Sequence, residues 1–210
     1  MQQVHSSPFE FVGDDVALDF VNTVDHRNDP ERRKELLHTY GDLVLWARQA
    51  NLVSQSESER LSARAARSTG QARAALRRAK LLREALYRIF RAIAEERQPV
   101  PADVALLDSM DKQAMAHRRI GRHMEGGFGW HWRMDGADLD LILWQLAKAG
   151  AELLTSDQVY SVRACAAESC RWLFMDTSRN RSRRWCDMKI CGNRAKARKF
   201  YQRRAGVSRA

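Results

Sequence analysis

Long apolar runs are missing from this chain of 210 residues. No segment reaches the roughly 18 uninterrupted apolar residues of a transmembrane helix. The opening residues, MQQVHSSPFEFV, also lack the basic and then apolar regions of a secretory signal peptide. We therefore expect a cytoplasmic protein with no membrane partner. Thiols stay reduced in a cytoplasm, so paired cysteines indicate metal ligands or redox groups rather than structural disulfides.

Acidic residues are scarce at the end of the chain. Residues 163–210 contain 14 basic and three acidic side chains, a net charge of +11, whereas residues 1–162 contain 22 basic and 23 acidic ones. The whole excess of positive charge therefore lies in the last 48 residues. Such an uneven distribution is typical of a segment that binds a polyanion, because each neutralised phosphate releases condensed counterions. A solvated basic tail is the alternative.

Cysteine is absent before position 165, and all four cysteines lie in the basic segment. They form the pattern C-x4-C-x15-C-x4-C with Cys165, Cys170, Cys186 and Cys191. Two close pairs supply the four thiolates that a structural Zn²⁺ ion binds in a tetrahedron. A catalytic zinc site usually keeps an open position and uses histidine, and no histidine follows His131. We predict one structural zinc ion on these four cysteines; free thiols or a dithiol redox switch are the alternatives.

The segment around the cysteines has too few apolar side chains to fold alone. Zinc binding should therefore supply much of its folding free energy, on the order of 10 kcal/mol, and we expect disorder without the metal. Trp172, Phe174 and Trp185 are expected to form a small core over the metal rather than a platform on which bases stack.

The part before residue 160 has helical periodicity. Leu82, Leu86, Ile89, Phe90 and Ile93 recur at the spacing of one helix face. The pattern predicts helices over residues 41–54, 56–68, 72–98, 101–119 and 138–156, with Pro101 at the first turn of its helix. Two alternating stretches, FEFV at 9–12 and GWHWRMDG at 129–136, predict short strands.

These patterns together predict the fold class and the domains. We expect a mainly α protein, an α-helical bundle with a small capping β-sheet, followed by a small C-terminal four-cysteine zinc module with a terminal helix. The charge shift and the TSDQ turn place the boundary near residues 156–162, so we divide the chain into residues 1–160 and 161–210.

Side chains that could contact nucleic acid surround the cysteines. A terminal helix starting near Cys191 would place Arg194, Arg198, Lys199 and Arg203 on one half and pack Ile190, Ala197, Phe200 and Tyr201 on the other. Guanidinium, ammonium and amide groups donate to phosphate oxygens or base edges. The candidates are Arg179, Asn180, Arg181, Arg183, Arg184, Asn193, Arg194, Lys196, Arg198 and Lys199.

A second polar cluster lies near the start of the chain, in ALDFVNTVDHR. Asp19, Asn22 and Arg27 are candidates to line a pocket for a small-molecule effector. The alternative is that these side chains cap helices and form buried hydrogen bonds.

Two stretches resemble known families. CAAESCRWLFMDTSRNRSRRWCDMKICGNRAKARKFYQRR, residues 165–204, is similar to the CGNR zinc finger, which is named for the run from Cys191 to Arg194. GDDVALDFVNTV and YGDLVLWARQANLVS resemble the ABATE domain, which precedes this finger in bacterial proteins described as stress-induced transcriptional regulators. The resemblance implies a DNA-binding zinc module joined to a mainly helical domain.

We therefore predict a DNA-binding transcriptional regulator whose helical domain senses a ligand and which pairs as a homodimer. A zinc finger that binds RNA or an acidic protein partner is the alternative. No nucleophile with a base at interpretable spacing and no phosphate-binding GxxxxGK[ST] loop occurs, so we predict no enzymatic activity. An enzyme in the helical domain remains a third, weaker hypothesis.

Overall fold

The computed structural model describes residues 9–122, 126–133, 139–197 and 200–201. Its helices are α1 (Val16–Val21), α2 (Tyr40–Gln49), α3 (Gln55–Arg67), α4 (Thr69–Ala94), α5 (Pro101–Ala116) and α6 (Leu141–Thr155). A 3-10 helix at Asp157–Ser161 and a π-helical turn at Met188–Gly192 follow. The strands form antiparallel pairs: β1 (Val24–Asp25) with β2 (Lys34–Glu35), β3 (Arg118–Arg122) with β4 (Phe128–Trp132), and β5 (Val162–Ala164) with β6 (Leu173–Met175). The predicted mainly α fold with a cysteine-rich C-terminal module is confirmed.

Local sequence explains where several helices begin. Thr39 and Asp42 form a capping box at α2, and Ser54 and Glu57 form another at α3. In each box the side chains satisfy backbone N–H groups that have no partner inside the helix. Pro101 begins α5, where its missing N–H costs nothing. None of the helices in the described ranges is long and apolar enough to cross a membrane.

The long helix α4 organises the core. It packs against α1, α2, α5 and α6. Of the five predicted core positions, Leu82, Leu86, Ile89 and Phe90 are fully buried, and Ile93 is partly buried against the core. Gly150 of α6 lets two helices approach closely, because a Cβ atom there would lie 2.5 Å from a methyl carbon of Leu86. The 3.6-residue periodicity of α4 therefore identified the face around which the other helices assemble.

The strands differ from the prediction in two places. Residues 9–12 form no strand: Phe9 is buried in the core, Glu10 and Phe11 are exposed, and the nearby Met175 N–H donates to the Gly13 carbonyl at 2.9 Å. The second predicted stretch contains β4, and its partner β3 occupies residues expected at the end of the helix over 101–119. Three separate pairs thus replace one capping sheet, and residues 134–136 lie outside the described ranges.

A buried ion network joins α4 to β2. The Arg83 side chain, 3% exposed, donates to both carboxylate oxygens of Glu35 at 2.7 and 2.8 Å and to the Thr23 hydroxyl at 3.1 Å. Burial acts to raise the pKa of Glu35, but the hydrogen bonds and charge of Arg83, with the charge of Lys80, lower it to about 2. The network therefore stabilises the fold only while Glu35 is ionised.

We predict that Glu35→Gln changes how stability depends on pH. A folded pKa below the ordinary 4.5 means that the ion pair contributes stability above pH 4.5 and that this contribution, about 3 kcal/mol, is lost as the pH falls towards about 2. The variant should be less stable at pH 7 and should show a flatter pH dependence below 4.5. Urea unfolding at several pH values measures both effects, with Glu31→Gln as the exposed control. Parallel curves for the wild type and Glu35→Gln would contradict the assignment.

Candidate metal centre and nucleic-acid interface

Two short turns and a long loop bring the four cysteines together. Cys165 follows β5, and its N–H donates to the Trp172 carbonyl at 2.8 Å. Cys170 ends a tight turn in which its N–H donates to the Ala167 carbonyl at 3.0 Å. Cys186 ends the loop that follows β6. Cys191 lies in the π-helical turn, which Asp187 caps by accepting the Ile190 N–H at 2.7 Å.

The geometry of the sulfur atoms fits a single metal ion. All four Sγ atoms lie within 4.8 Å of one another, and Cys186 Sγ is 3.7 Å from the Sγ atoms of both Cys170 and Cys191. Zn²⁺ bound tetrahedrally at about 2.3 Å from each sulfur would separate neighbouring sulfurs by about 3.8 Å. A disulfide would need about 2.05 Å. The cluster therefore has the size of a tetrathiolate zinc site and not of a disulfide.

The surroundings of the cluster also suit a structural metal. All four cysteines are buried, where thiolates are unfavourable without a nearby cation. A thiolate is the form that binds metal. Since four sulfurs complete the tetrahedron, no position remains for a catalytic water. The site fits one structural zinc ion.

The aromatic residues near the cluster form a small core, as predicted. Trp172 and Phe174 are buried in one apolar cluster with the four cysteines, and Trp185 packs against it. They are therefore occupied in supporting the metal site, not in stacking on bases.

Strand β6 is shared between this small core and the main one. Leu173 and Met175 belong to the apolar cluster of the helical part, whereas Phe174, on the opposite face, belongs to the cysteine cluster. Side chains alternate between the faces of a strand, so three consecutive residues supply both cores. The zinc module is therefore not suspended on a linker but is joined to the helical part.

Two hydrogen-bonded bridges strengthen this junction. The Asn22 side chain donates to the Leu173 carbonyl at 2.8 Å and accepts the Leu173 N–H at 2.9 Å. The indole N–H of Trp172 donates to the Val24 carbonyl at 2.9 Å. Asn22, a predicted pocket residue, is thus engaged inside the protein.

The other two predicted pocket residues are also engaged internally. Asp19 accepts the Gly13 N–H at 2.8 Å, and burial raises the pKa of this carboxyl to about 6. Arg27 donates to Glu84 at 2.7 Å and to the Val21 carbonyl at 2.8 Å, and it lies over the Tyr87 ring. Asp19, Asn22 and Arg27 thus all make the internal hydrogen bonds of the alternative interpretation, and a ligand pocket formed by them stays a prediction.

The arginine-rich loop between β6 and Cys186 is anchored by one carboxylate. Asp176 is buried and accepts the backbone N–H groups of Ser178 and Arg183 at 3.0 Å each, as well as the Ser178 hydroxyl. The Ser178 oxygen in turn accepts the Ser182 N–H at 3.0 Å. Burial acts to raise the pKa of Asp176, but the bonds from Ser178 and Arg183 lower it overall. The loop is therefore held in one conformation by an ionised aspartate.

Four of the five predicted contact residues in this loop point to solvent. Arg179, Asn180, Arg181 and Arg184 are exposed. Arg183 is different, because its guanidinium bonds to Asp14 and to the carbonyls of Val12, Met175, Trp185 and Cys186 and lies 4.4 Å over the Phe174 ring. This arginine braces the loop against the N-terminal segment, so we leave it out of the interface proposed below.

The helical segment after Cys191 carries the remaining candidates. Residues 193–197 are helical, and Asn193, Arg194 and Lys196 are exposed, while Arg198 and Lys199 lie outside the described residues. Of the predicted apolar half, Ile190 packs against the cysteine cluster as expected, whereas Phe200 and Tyr201 are 55% and 70% exposed and contact each other.

An acidic cavity lies on one side of the cysteines. Its volume is about 170 Å³, and Glu10, Asp25, His26, Asp187 and Arg194 contribute to its lining. Burial, Asp25 and Asp187 raise the pKa of Glu10, whereas Arg194 lowers it. Three carboxylates make this side unfavourable for phosphate. The exposed arginines of the loop therefore form the better anion-binding side of the module.

The sequence reasoning missed the residues that hold the site in shape. Asp176, Asp187 and the inward turn of Arg183 were not singled out. Aspartate before a run of small polar residues, as in Asp176-Thr177-Ser178, is a signal for a side chain that binds its own loop. No sequence signal indicates which of several arginines in one loop turns inward.

Comparisons with known proteins agree with this geometry. The ABATE family, described as "Putative stress-induced transcription regulator", matches residues 14–157. The CGNR zinc finger family matches residues 161–204. Among curated proteins, none matches the chain significantly. The zinc finger match, together with four clustered thiols, supports one structural zinc ion per chain.

We predict that zinc stabilises the whole chain and not only its last 50 residues. Cys170→Ser should remove the metal and lower the melting temperature by about 10 °C or more, because β6 supplies both cores. Metal analysis and circular dichroism of the helices measure the two effects, with Ser169→Ala as the neighbouring control. Unchanged helix melting after loss of zinc would contradict the shared strand.

We also predict that Asn22, which does not bind the metal itself, slows the release of zinc. Asn22→Ala removes the side chain that bonds the Leu173 N–H and carbonyl, so the free energy of unfolding should fall by about 1–3 kcal/mol. The rate at which zinc transfers to a coloured chelator should rise. The exposed Asn28→Ala is the matched control. Equal transfer rates for the two variants would show that the bridge does not support the metal site.

Proposed function

Because the chain belongs to the ABATE family and ends in a CGNR zinc finger, we propose that it regulates transcription by binding duplex DNA through the zinc-organised loop. Neither family is described as an enzyme family. In a bacterium, a regulator of this kind acts in the cytoplasm, where the DNA lies. We assign DNA binding to residues 161–210 and the regulatory role to residues 1–160.

The observation that carries the proposal is the direction of the loop side chains. Arg179, Arg181 and Arg184 are exposed on a loop whose backbone is anchored by Asp176 and Arg183. An arginine fork donates in parallel to two oxygens of a phosphate or to two acceptors of a guanine. A preordered loop loses little conformational entropy on binding, so its charges act together.

Zinc supplies no chemistry at the interface beyond structural support. Its ligands Cys186 and Cys191 hold the two ends of the segment that joins the arginine loop to the exposed residues 193–197. Asn193 and Lys196 extend the donor surface, whereas Arg194 also borders the acidic cavity and contributes less. Since the part before residue 163 has a net charge of −1, the field of the protein favours an approach of DNA at the basic end.

Ligand sensing and pairing of chains are not part of the proposed mechanism. The residues predicted to form an effector pocket make buried hydrogen bonds instead, so a small-molecule effector stays a prediction from the sequence alone. The homodimer likewise stays a prediction.

We predict that the triple variant Arg179→Ala, Arg181→Ala, Arg184→Ala binds duplex DNA at least about tenfold more weakly. The slope of log K against log salt should fall by about 0.9 for each lost phosphate contact. Fluorescence anisotropy with a labelled duplex of mixed sequence, titrated at several salt concentrations, measures both quantities.

The matched control removes three exposed arginines from the helical part: Arg60→Ala, Arg67→Ala and Arg73→Ala. It changes the net charge equally, so a loss confined to the loop variant would locate the interface. Equal losses for the two variants would indicate a nonspecific charge effect. A preference of the wild type for single-stranded RNA or an acidic peptide, with the same dependence on the loop, would overturn DNA in favour of another partner.

A further inference from the structure

The hairpin formed by β3 and β4 carries an unusual face. Its register pairs Arg118 with Trp132, Ile120 with Trp130 and Arg122 with Phe128. Residues paired directly across an antiparallel ladder lie on the same face, so these six side chains form one surface, which we call the hairpin face. Cationic and apolar side chains alternate along β3, whereas the β4 side of the face is aromatic throughout.

Much of the hairpin face is exposed. Ile120, Phe128 and Trp130 are 65%, 69% and 59% exposed. Trp132 is different, because it stacks towards Trp144 of α6 and joins the hairpin to the helical core. The hairpin is therefore anchored to the helical part at the partly buried Trp132, while its outer aromatic side chains are exposed.

Arginines lie against the exposed rings. The Arg118 guanidinium is 4.6 Å from the centre of the Trp130 ring, and that of Arg122 is 5.5 Å from the centre of the Phe128 ring. Arg122 is exposed and Arg118 is half-buried, and the exposed Arg119 adds a third cation on the other face. Within the described residues, no ion pair links these arginines to a carboxylate, and the described part of the hairpin contains no acidic residue.

The charge decides which partner suits this surface. A second copy of the chain is disfavoured, because two hairpin faces in contact would bring at least four arginines together. A lipid surface is disfavoured because Arg118 and Arg122 lie on the same face as the rings, whereas a membrane-binding element keeps its cations on the face opposite its apolar side chains. A partner that carries negative charge beside flat apolar groups satisfies both parts of the surface.

We propose that the hairpin face binds single-stranded nucleic acid, with bases stacking on Phe128 and Trp130 and phosphates contacting the arginines. The two rings are two residues apart on one strand, a separation of about 6.8 Å, or about twice the 3.4 Å rise of stacked nucleotides. Proteins that bind single strands combine aromatic platforms with a basic surface in this way. Paired bases inside a duplex do not expose their flat faces, so the site discriminates against duplex DNA.

This site is distinct from the zinc-organised loop. It lies in the part matched by the ABATE family, and it uses none of the residues assigned to duplex DNA binding. A regulator with both sites could hold a duplex and a neighbouring unpaired strand at the same time.

The experiment uses the full-length zinc-loaded chain and a labelled 20-nucleotide oligothymidylate, which cannot form a hairpin. The double variant Phe128→Ala, Trp130→Ala should lower the affinity for this strand at least about tenfold and leave binding of a duplex unchanged. The matched control, Tyr160→Ala, removes another aromatic side chain that is 69% exposed. Substitution of exposed side chains should preserve the fold, and circular dichroism checks this.

A charge variant gives an independent test. Arg122→Gln, on the hairpin face, keeps both rings and should reduce the salt slope of oligothymidylate binding by about 0.7, whereas Arg119→Gln, on the other face, should leave the slope unchanged. The loop variant Arg179→Ala, Arg181→Ala, Arg184→Ala should keep the dependence on Phe128 and Trp130, so failure of one proposal is distinguishable from failure of the other.

Three results would overturn the proposal. One is no binding of oligothymidylate at low salt, and another is binding that the ring variant leaves unchanged. The third is binding to vesicles of anionic phospholipid that depends on the two rings while oligothymidylate does not compete.

Discussion

Four sulfur atoms that must converge on one point impose the constraint on which the rest of the C-terminal structure depends. A tetrahedral ion accepts its ligands only at fixed distances and angles, so the β5/β6 pair and the arginine loop have to close around it. Once closed, the loop cannot spread, and the exposed Arg179, Arg181 and Arg184 stay outside the lining of the acidic cavity. Metal coordination thus substitutes for the apolar core that a segment of this size lacks.

The arginines of the loop between β6 and Cys186 have two different roles. Arg183 bonds to the carbonyls that surround the metal site, whereas Arg179, Arg181 and Arg184 have their donors in solvent. A buried guanidinium can satisfy several backbone oxygens because it has five donors in a planar fork. The same chemistry that would recognise phosphate therefore first holds the loop in shape.

Much of this architecture could be predicted from local patterns. Helix periodicity located α4, and cysteine spacing located the metal site. Only the β4 half of the hairpin could be predicted, because the residues 118–122 that form β3 have no alternating apolar pattern and take their register from β4. The direction of Arg183 and the bridge from Asn22 to Leu173 depend on contacts between residues more than 150 positions apart along the chain. Such contacts are products of tertiary packing, which local sequence does not encode by itself.

The strand shared by two cores has a thermodynamic consequence. Leu173 and Met175 pack in the helical core, and Phe174 packs in the core around the cysteines. The stability of one core therefore cannot change without a change in the stability of the other. By thermodynamic linkage, the factor by which zinc binding stabilises the packed helices is also the factor by which the packed helices increase the affinity for zinc. An event that loosens the helical part would therefore weaken the affinity of the four cysteines for zinc, although the event itself takes place outside the metal site.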